Sequence, residues 1–265
     1  MKSMKHLRGF LFAAAAFGGL LAPIPSSGAL GLEVAPAKIE MAMPSGTTYN
    51  MPITVHNAST DPTHIQASMI DFNVARNGDY QFERIGSREN SLLRWASINP
   101  REFDLSPNTT QMERLTFSLP NDKMLTGEYA GIVFFQTRPL RRSGAFAFSE
   151  RIATKVYVTI AGTLKIGGEV AKMSAAQSPG GQLYRVLFRN TGNAHVYLNG
   201  SVSVQRDGQV VDQLAVPAEQ LVERGGERLL EIPGKRLPPG KYQALAAIDY
   251  GGKTMTGGEI SFNVH

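Results

Sequence analysis

Apolar residues fall at every second position over short segments of the chain, and Gly, Pro, Asn and Asp separate one segment from the next. Residues 51–56 show the pattern, with Ile53 and Val55 flanking Thr54, and it recurs at 65–72, 115–119, 129–135 and 152–160. A period of two places alternate side chains on one face of an extended chain, so these segments predict strands. Turn chemistry lies between them, at Pro44-Ser45-Gly46, Asn57 to Pro62, Asn77-Gly78-Asp79, Ser106-Pro107-Asn108 and Asn121-Asp122. No long stretch has the 3.6-residue spacing of a buried helix. After Ile160 the pattern pauses at Ala161-Gly162 and again at Gly167-Gly168, and a second set of strands follows at 183–188, 196–204, 209–214, 228–232, 242–249 and 259–264.

Short strands at this spacing predict an all-β protein of two immunoglobulin-like β-sandwich domains in tandem. The expected boundary lies near residue 163, giving an N-terminal domain at 30–163 and a C-terminal domain at 164–265. Residues 1–29 carry Lys2, Lys5 and Arg8, an apolar stretch from Phe10 to Ala22, and Ser27-Gly28-Ala29, which is the layout of a cleaved secretory signal. Cleavage is expected after Ala29, leaving a soluble exported chain. That chain has no cysteine, so burial alone must hold its cores. The signal also supplies three of the five net positive charges, leaving +2 with the basic residues dispersed. Such a surface gives no footprint for nucleic acid.

Candidate chemistry is sparse. The five histidines, His6, His56, His64, His195 and His265, are too far apart in sequence for a metal-ligand motif. His56 and His195 sit beside Asn-containing turns, where a polar strand-end residue is the ordinary reading. Neither a Gly-x-Ser-x-Gly elbow nor a phosphate-binding glycine loop is present. No enzyme, metal or cofactor is expected.

One segment has a different character. Arg138, Arg141 and Arg142 form a basic loop that leads into an alternating stretch with Phe146, Phe148, Ile152, Val156 and Val158. Such a stretch can serve as an exposed edge strand, which offers unpaired backbone groups to another chain together with apolar side chains on one face. On pattern alone, 152–160 reads equally well as an ordinary core strand, with 145–149 a loop.

Several positions then fall in a familiar order. Leu32-Glu33-Val34-Ala35-Pro36-Ala37-Lys38, Val55-His56-Asn57, Leu105-Ser106-Pro107 followed by Arg114, Glu128-Tyr129 running into Val133-Phe134-Phe135, and Ile152-Ala153-Thr154-Lys155 together resemble the N-terminal domain of PapD-like periplasmic pilus chaperones. The resemblance covers roughly residues 32–161. It implies that Lys38 and Lys155 anchor the C-terminal carboxylate of a pilus or other surface subunit, and that Phe146, Phe148 and Ile152 are donor-strand residues filling the subunit's groove. The implied setting is the periplasm, with an outer-membrane usher as a second candidate partner. Self-association through the same edge is expected when no client is bound. Departures from the family pattern are Glu150 within the apolar series, Thr126-Gly127 where the family has Asp-Arg, Lys rather than Arg at the first anchor, and a long segment from Asn73 to Ser97.

The chain is also similar, through Gly127-Glu128-Tyr129 and the two-sandwich plan, to two-domain surface proteins that bind WxL proteins; these normally continue into a membrane helix, so this reading ranks second. It belongs with the alternative function, a structural or adhesive surface component that binds another surface protein.

Overall fold

The computed structural model describes residues 31–141 and 147–265, of which almost all regular structure is strand. The signal segment, Arg142 and Phe146 lie outside the described residues. The first twelve strands are β1 (Leu32–Ala35), β2 (Lys38–Met43), β3 (Thr48–Asn57), β4 (Thr63–Val74), β5 (Tyr80–Glu83), β6 (Ala96–Asn99), β7 (Glu102–Leu105), β8 (Thr109–Ser118), β9 (Glu128–Thr137), β10 (Leu140–Arg141), β11 (Ala147–Phe148) and β12 (Arg151–Ile160). One sheet has the order β1-β3-β8-β6 and the facing sheet β2-β12-β9-β4, with β5 and β7 also paired to β4. Between the sheets, Ile53, Val55, Leu115 and Phe117 meet Ile39, Ile65, Val133, Phe135, Val156 and Val158 in one core. The chain changes sheets between β1 and β2 at Pro36, which has no amide hydrogen to leave unpaired at the crossing.

The remaining strands are β13 (Gly168–Ser178), β14 (Gly181–Asn190), β15 (Val196–Arg206), β16 (Gln209–Ala215), β17 (Gln220–Val222), β18 (Glu227–Gly234), β19 (Gly240–Asp249) and β20 (Thr256–Val264). They form the sheets β13-β14-β18 and β16-β15-β19-β20, with β17 on β15, around a second core that includes Tyr184, Val186, Phe188, Leu198, Val202, Leu230 and Ile248. The all-β class and the two immunoglobulin-like sandwiches expected from the strand spacing are what the chain forms.

The two sandwiches share one side-chain device. Asn57, at the end of β3, is buried, donates from Nδ2 to the carbonyls of Asp61, Leu105 and Ser106, and accepts from Ser59. Asn190, at the end of β14, donates to the carbonyls of Ala194, Val222 and Glu223 and accepts from the amide of Gly192. Each amide ties a strand end to its own turn and to a neighbouring strand. Asn190→Ala would take the side-chain donor from the carbonyls of Ala194, Val222 and Glu223, of which Glu223 still accepts from the Gly226 amide, and is expected to cost about 2–4 kcal/mol, measured as a lowered midpoint in urea at unchanged slope.

A third cluster joins the sandwiches. Strand β9 is buried at nearly every position, not at alternate ones, because its outer face is covered too. Ala130, Ile132 and Phe134 on that face, with Tyr157 of β12, pack against Phe72 and Val74 of β4 and against Leu221 and Tyr197 of the second sandwich. Two backbone hydrogen bonds cross the junction, from the amide of Glu128 to the Asn193 carbonyl (2.8 Å) and from the amide of Leu229 to the Arg76 carbonyl (2.8 Å). Gly127 explains one departure from the family pattern. It has φ +72°, and a β-carbon there would clash with the Asn193 carbonyl oxygen, so the close approach of the second sandwich requires glycine.

Candidate functional site

Strands β2 and β12 run parallel, and their register sets Lys38 directly beside Lys155 and Glu40 beside Tyr157. Paired positions in a parallel ladder project on the same side of the sheet, so the two ammonium-bearing chains share its outer face. The crossing that delivers Lys38 is tied to β12: the Lys155 amide donates to the Ala37 carbonyl (3.0 Å), and the Thr154 hydroxyl donates to the Pro36 carbonyl (2.9 Å).

Each lysine has an aromatic wall. Lys38 Nζ lies 4.9 Å from the ring centroid of Tyr197, which belongs to the second sandwich, and 2.7 Å from Glu40 Oε1. Lys155 Nζ donates to the Tyr80 hydroxyl at 3.2 Å. Tyr80 comes from β5, the hairpin that folds back over the same face. The paired cations thus sit in the cleft between the sandwiches, with a tyrosine on either side. The hydrogen bond and charge of Glu40 hold Lys38 above the ordinary lysine range, so it stays fully charged at neutral pH.

Deeper in the cleft the site becomes polar and buried. The His195 imidazole lies against the Tyr157 ring with centroids 4.0 Å apart, its Nδ1 within 2.8 Å of both Glu128 oxygens and its Nε2 3.3 Å from Glu40 Oε1. Burial works to lower the His195 pKa, but the Glu128 carboxylate outweighs it and holds the imidazole above its ordinary value. Tyr157 donates from its hydroxyl to Glu223 Oε1 at 3.2 Å, and burial pushes the Glu223 carboxyl up to about 7. Burial pushes Glu40 upward as well, but the bond and charge of Lys38, with help from His195, leave it below the usual carboxylate range. His195 is therefore not an ordinary strand-end residue: it is the hub of the contact between the sandwiches.

Before Lys155 the edge of β12 is open among the described residues. Pairing with β2 begins at Lys155, so Arg151 to Thr154 have, among the described residues, only β9 as a partner strand. Because the Lys155 amide points toward β2, strand alternation turns the backbone groups of Arg151 and Ala153 to that same open side. Ile152 is half-buried against the first core, whereas Phe148 is 56 % exposed, opposite Leu140 in the short β10–β11 ladder. Arg138 is exposed at the far end of β9, about six residues along the sheet and so roughly 20 Å from Lys155. The lysines converge; Arg138 stands apart from them. Glu150, the departure within the apolar series, accepts from the Leu32 amide at 2.9 Å and so bridges the two sheets at this edge.

Alternation alone points to Glu40 and Tyr157, each two residues beyond a lysine. Tyr80, His195, Tyr197 and Glu223 carry no such signal, because they arrive from a hairpin and from the other sandwich.

No family model and no curated protein matches the chain. Among solved structures, it is similar to the class 5 fimbriae chaperone CfaA, with a TM-score of 0.49 at 10 % identity, over 88 % of this chain and 98 % of that one. It is also similar to the Pseudomonas aeruginosa CupB2 chaperone (TM-score 0.43, 15 % identity, 88 % and 100 % covered). A third similarity is to a chain of the Salmonella enterica SafA pilin–SafB chaperone complex (TM-score 0.45, 15 % identity, 89 % and 97 % covered).

Proposed function

We propose that the protein is a periplasmic chaperone for pilus, fimbrial or related surface subunits, and that it holds a subunit by its C-terminal strand. The observation that carries this reading is the register of Lys38 beside Lys155 at the point where the free edge of β12 ends. Two ammonium groups in a partly enclosed cleft suit a carboxylate, which accepts charge-assisted hydrogen bonds from both. A chain that ends there and pairs with β12 must lie along Arg151 to Thr154, since β2 occupies the edge from Lys155 onward. It therefore runs parallel to β12. Ile152 and Phe148, with Phe146, supply the apolar positions of the donated strand. The exported location follows from the signal segment, and an usher is the partner that would receive the subunit.

The test is co-purification of the exported protein from a periplasmic extract, wild type against Lys155→Glu. A small β-rich subunit retained by the wild type and lost from the variant is the expected result. A subunit that binds both equally overturns the reading and favours a structural surface component.

A further inference from the structure

Across much of the surface, polar residues on neighbouring strands bond to one another. In the first sandwich Gln66 donates to Glu102 (3.0 Å), Thr116 to Asn50 (2.7 Å), and His56 shares a hydrogen bond with Thr110 (2.9 Å). In the β13-β14-β18 sheet of the second, Arg185 donates to Glu231 (2.7 Å). The facing sheet behaves differently. On its outer face Gln205 of β15 stands opposite Gln243 of β19, Gln243 opposite Ser261 of β20, and Lys241 opposite Asn263. Opposed residues lie about 5 Å apart at their β-carbons, within reach of such bonds. Yet none of these five side chains has a hydrogen-bond partner among the described residues.

The five surround an open groove of about 530 Å³, bounded at one end by the β15–β16 turn. That turn is a tight two-residue connection, with Asp207 and Gly208 both left-handed at φ +52° and +78°. Arg206 ties the hairpin to β19: its guanidinium carbon lies 5.6 Å from the Tyr242 centroid, and Nη1 donates to the Tyr242 hydroxyl at 3.4 Å. The groove is thus built from paired strands and a braced turn, and its shape does not wait on a ligand. At Gln205 and Gln243 the backbone is paired on both sides, so the floor offers no edge to an added strand.

The lining selects a chemical class. Its surface is mostly polar, unlike the apolar pockets that take drug-like molecules. Amide and hydroxyl side chains both donate and accept, whereas an anion calls for donors and a cation for acceptors. Asp207 and Lys241 add one charge of each sign, so the site has no net charge to match. These groups repeat about 5 Å across the strands and about 7 Å along them. A sugar carries hydroxyl groups on that scale, each a donor and an acceptor.

We propose that this groove binds a neutral saccharide, with Gln205, Gln243, Ser261 and Asn263 bonding to its hydroxyl groups. The site shares no residue with the Lys38–Lys155 cleft and stands or falls separately from it.

The test is an NMR titration of the isotope-labelled exported chain with glucose, cellotetraose, chitotetraose and an amidated Thr-Val octapeptide, following the side-chain amide signals of Gln205, Gln243 and Asn263. At least one saccharide is expected to move these signals with a Kd of about 1 mM, since its hydrogen bonds replace those of water. Gln243→Ala or Ser261→Ala should weaken that saccharide about tenfold, at an unchanged urea midpoint because both side chains are exposed. Arg185→Ala, on the facing sheet, should bind as wild type does. A tetrasaccharide bound more tightly than glucose marks a segment of a glycan chain, and equal binding marks a free sugar. Signals that no saccharide moves, or that the peptide alone moves, overturn the site. So does an affinity that survives both groove variants, or one that falls as far in Arg185→Ala.

Discussion

The Lys38→Ala, Lys155→Ala double variant is expected to bind a partner subunit 30- to 1,000-fold more weakly than wild type, with an unfolding midpoint close to the wild-type value. The affinity loss corresponds to about 2–4 kcal/mol, the cost of leaving a desolvated carboxylate without its charge-assisted donors. The fold should tolerate the change because neither ammonium group supports a core: Lys155 Nζ bonds to the exposed Tyr80, and Lys38 Nζ to the exposed Glu40. Lys155→Arg keeps a donor and a charge, and should recover most of the binding. Added salt should weaken the wild type more than the double variant, since screening acts on the interaction that the variant lacks. Equal affinities by calorimetry would remove the lysines from the site.

The second large effect is on stability against pH. Glu223 is buried at the junction, and its carboxyl is pushed up from the ordinary 4.5 to about 7 by burial, with the Glu128 carboxylate acting in the same direction and the charges of His195 and Arg88 opposing it. A group whose pKa is higher in the folded protein binds protons more tightly there, so its stabilising contribution is present below about pH 4.5 and is lost as pH rises to about 7. The His195 shift has the same sign, with stability lost as pH rises through its raised value. For Glu223 the loss is on the order of 3 kcal/mol. The protein should thus unfold more readily at pH 7.5 than at pH 5, as measured by the urea midpoint at each pH. Glu223→Gln keeps an acceptor for the Tyr157 hydroxyl and removes the titration, so its midpoint should change far less between the two pH values. A variant with the full wild-type slope would move the effect to another group.

The same cluster links the binding cleft to the arrangement of the sandwiches. Lys38 pairs with Glu40, Glu40 with His195, and His195 with Glu128, so the charge proposed to bind a partner lies at the end of a chain of contacts crossing the junction. Truncating His195 should disturb both the stability and the position of Lys38. His195→Ala is accordingly a poor control for binding, and Phe148→Ser, at an exposed position away from the junction, is a better one for the donor strand.

Much of the architecture was legible in residue order because strands obey a local rule. Alternation in 51–56 and 115–119 reflects one face buried and one not, which any short window reveals. Asn57 and Asn190 stand at turns for a reason that is half local: each side chain satisfies the backbone of the next few residues, while its bonds to a distant strand are set by the tertiary fold. Lys38 and Lys155 could be named from the order of neighbouring motifs. Their adjacency could not, because 117 positions separate them and only the parallel register of β2 on β12 closes the gap. The double burial of β9 was hidden for a related reason: its outer face is covered by a hairpin and by another sandwich, and no periodicity within 128–137 encodes a distant cover. Glu150 looked like a flaw in an apolar series until the Leu32 amide was found against it. Sequence by itself determined the strands, the turns and the charges, which depend on neighbours along the chain. Tertiary structure alone decided which charges share a cleft, which aromatics wall it and which carboxyl loses its water, because pairing between sheets and burial depend on contacts that chain order does not record.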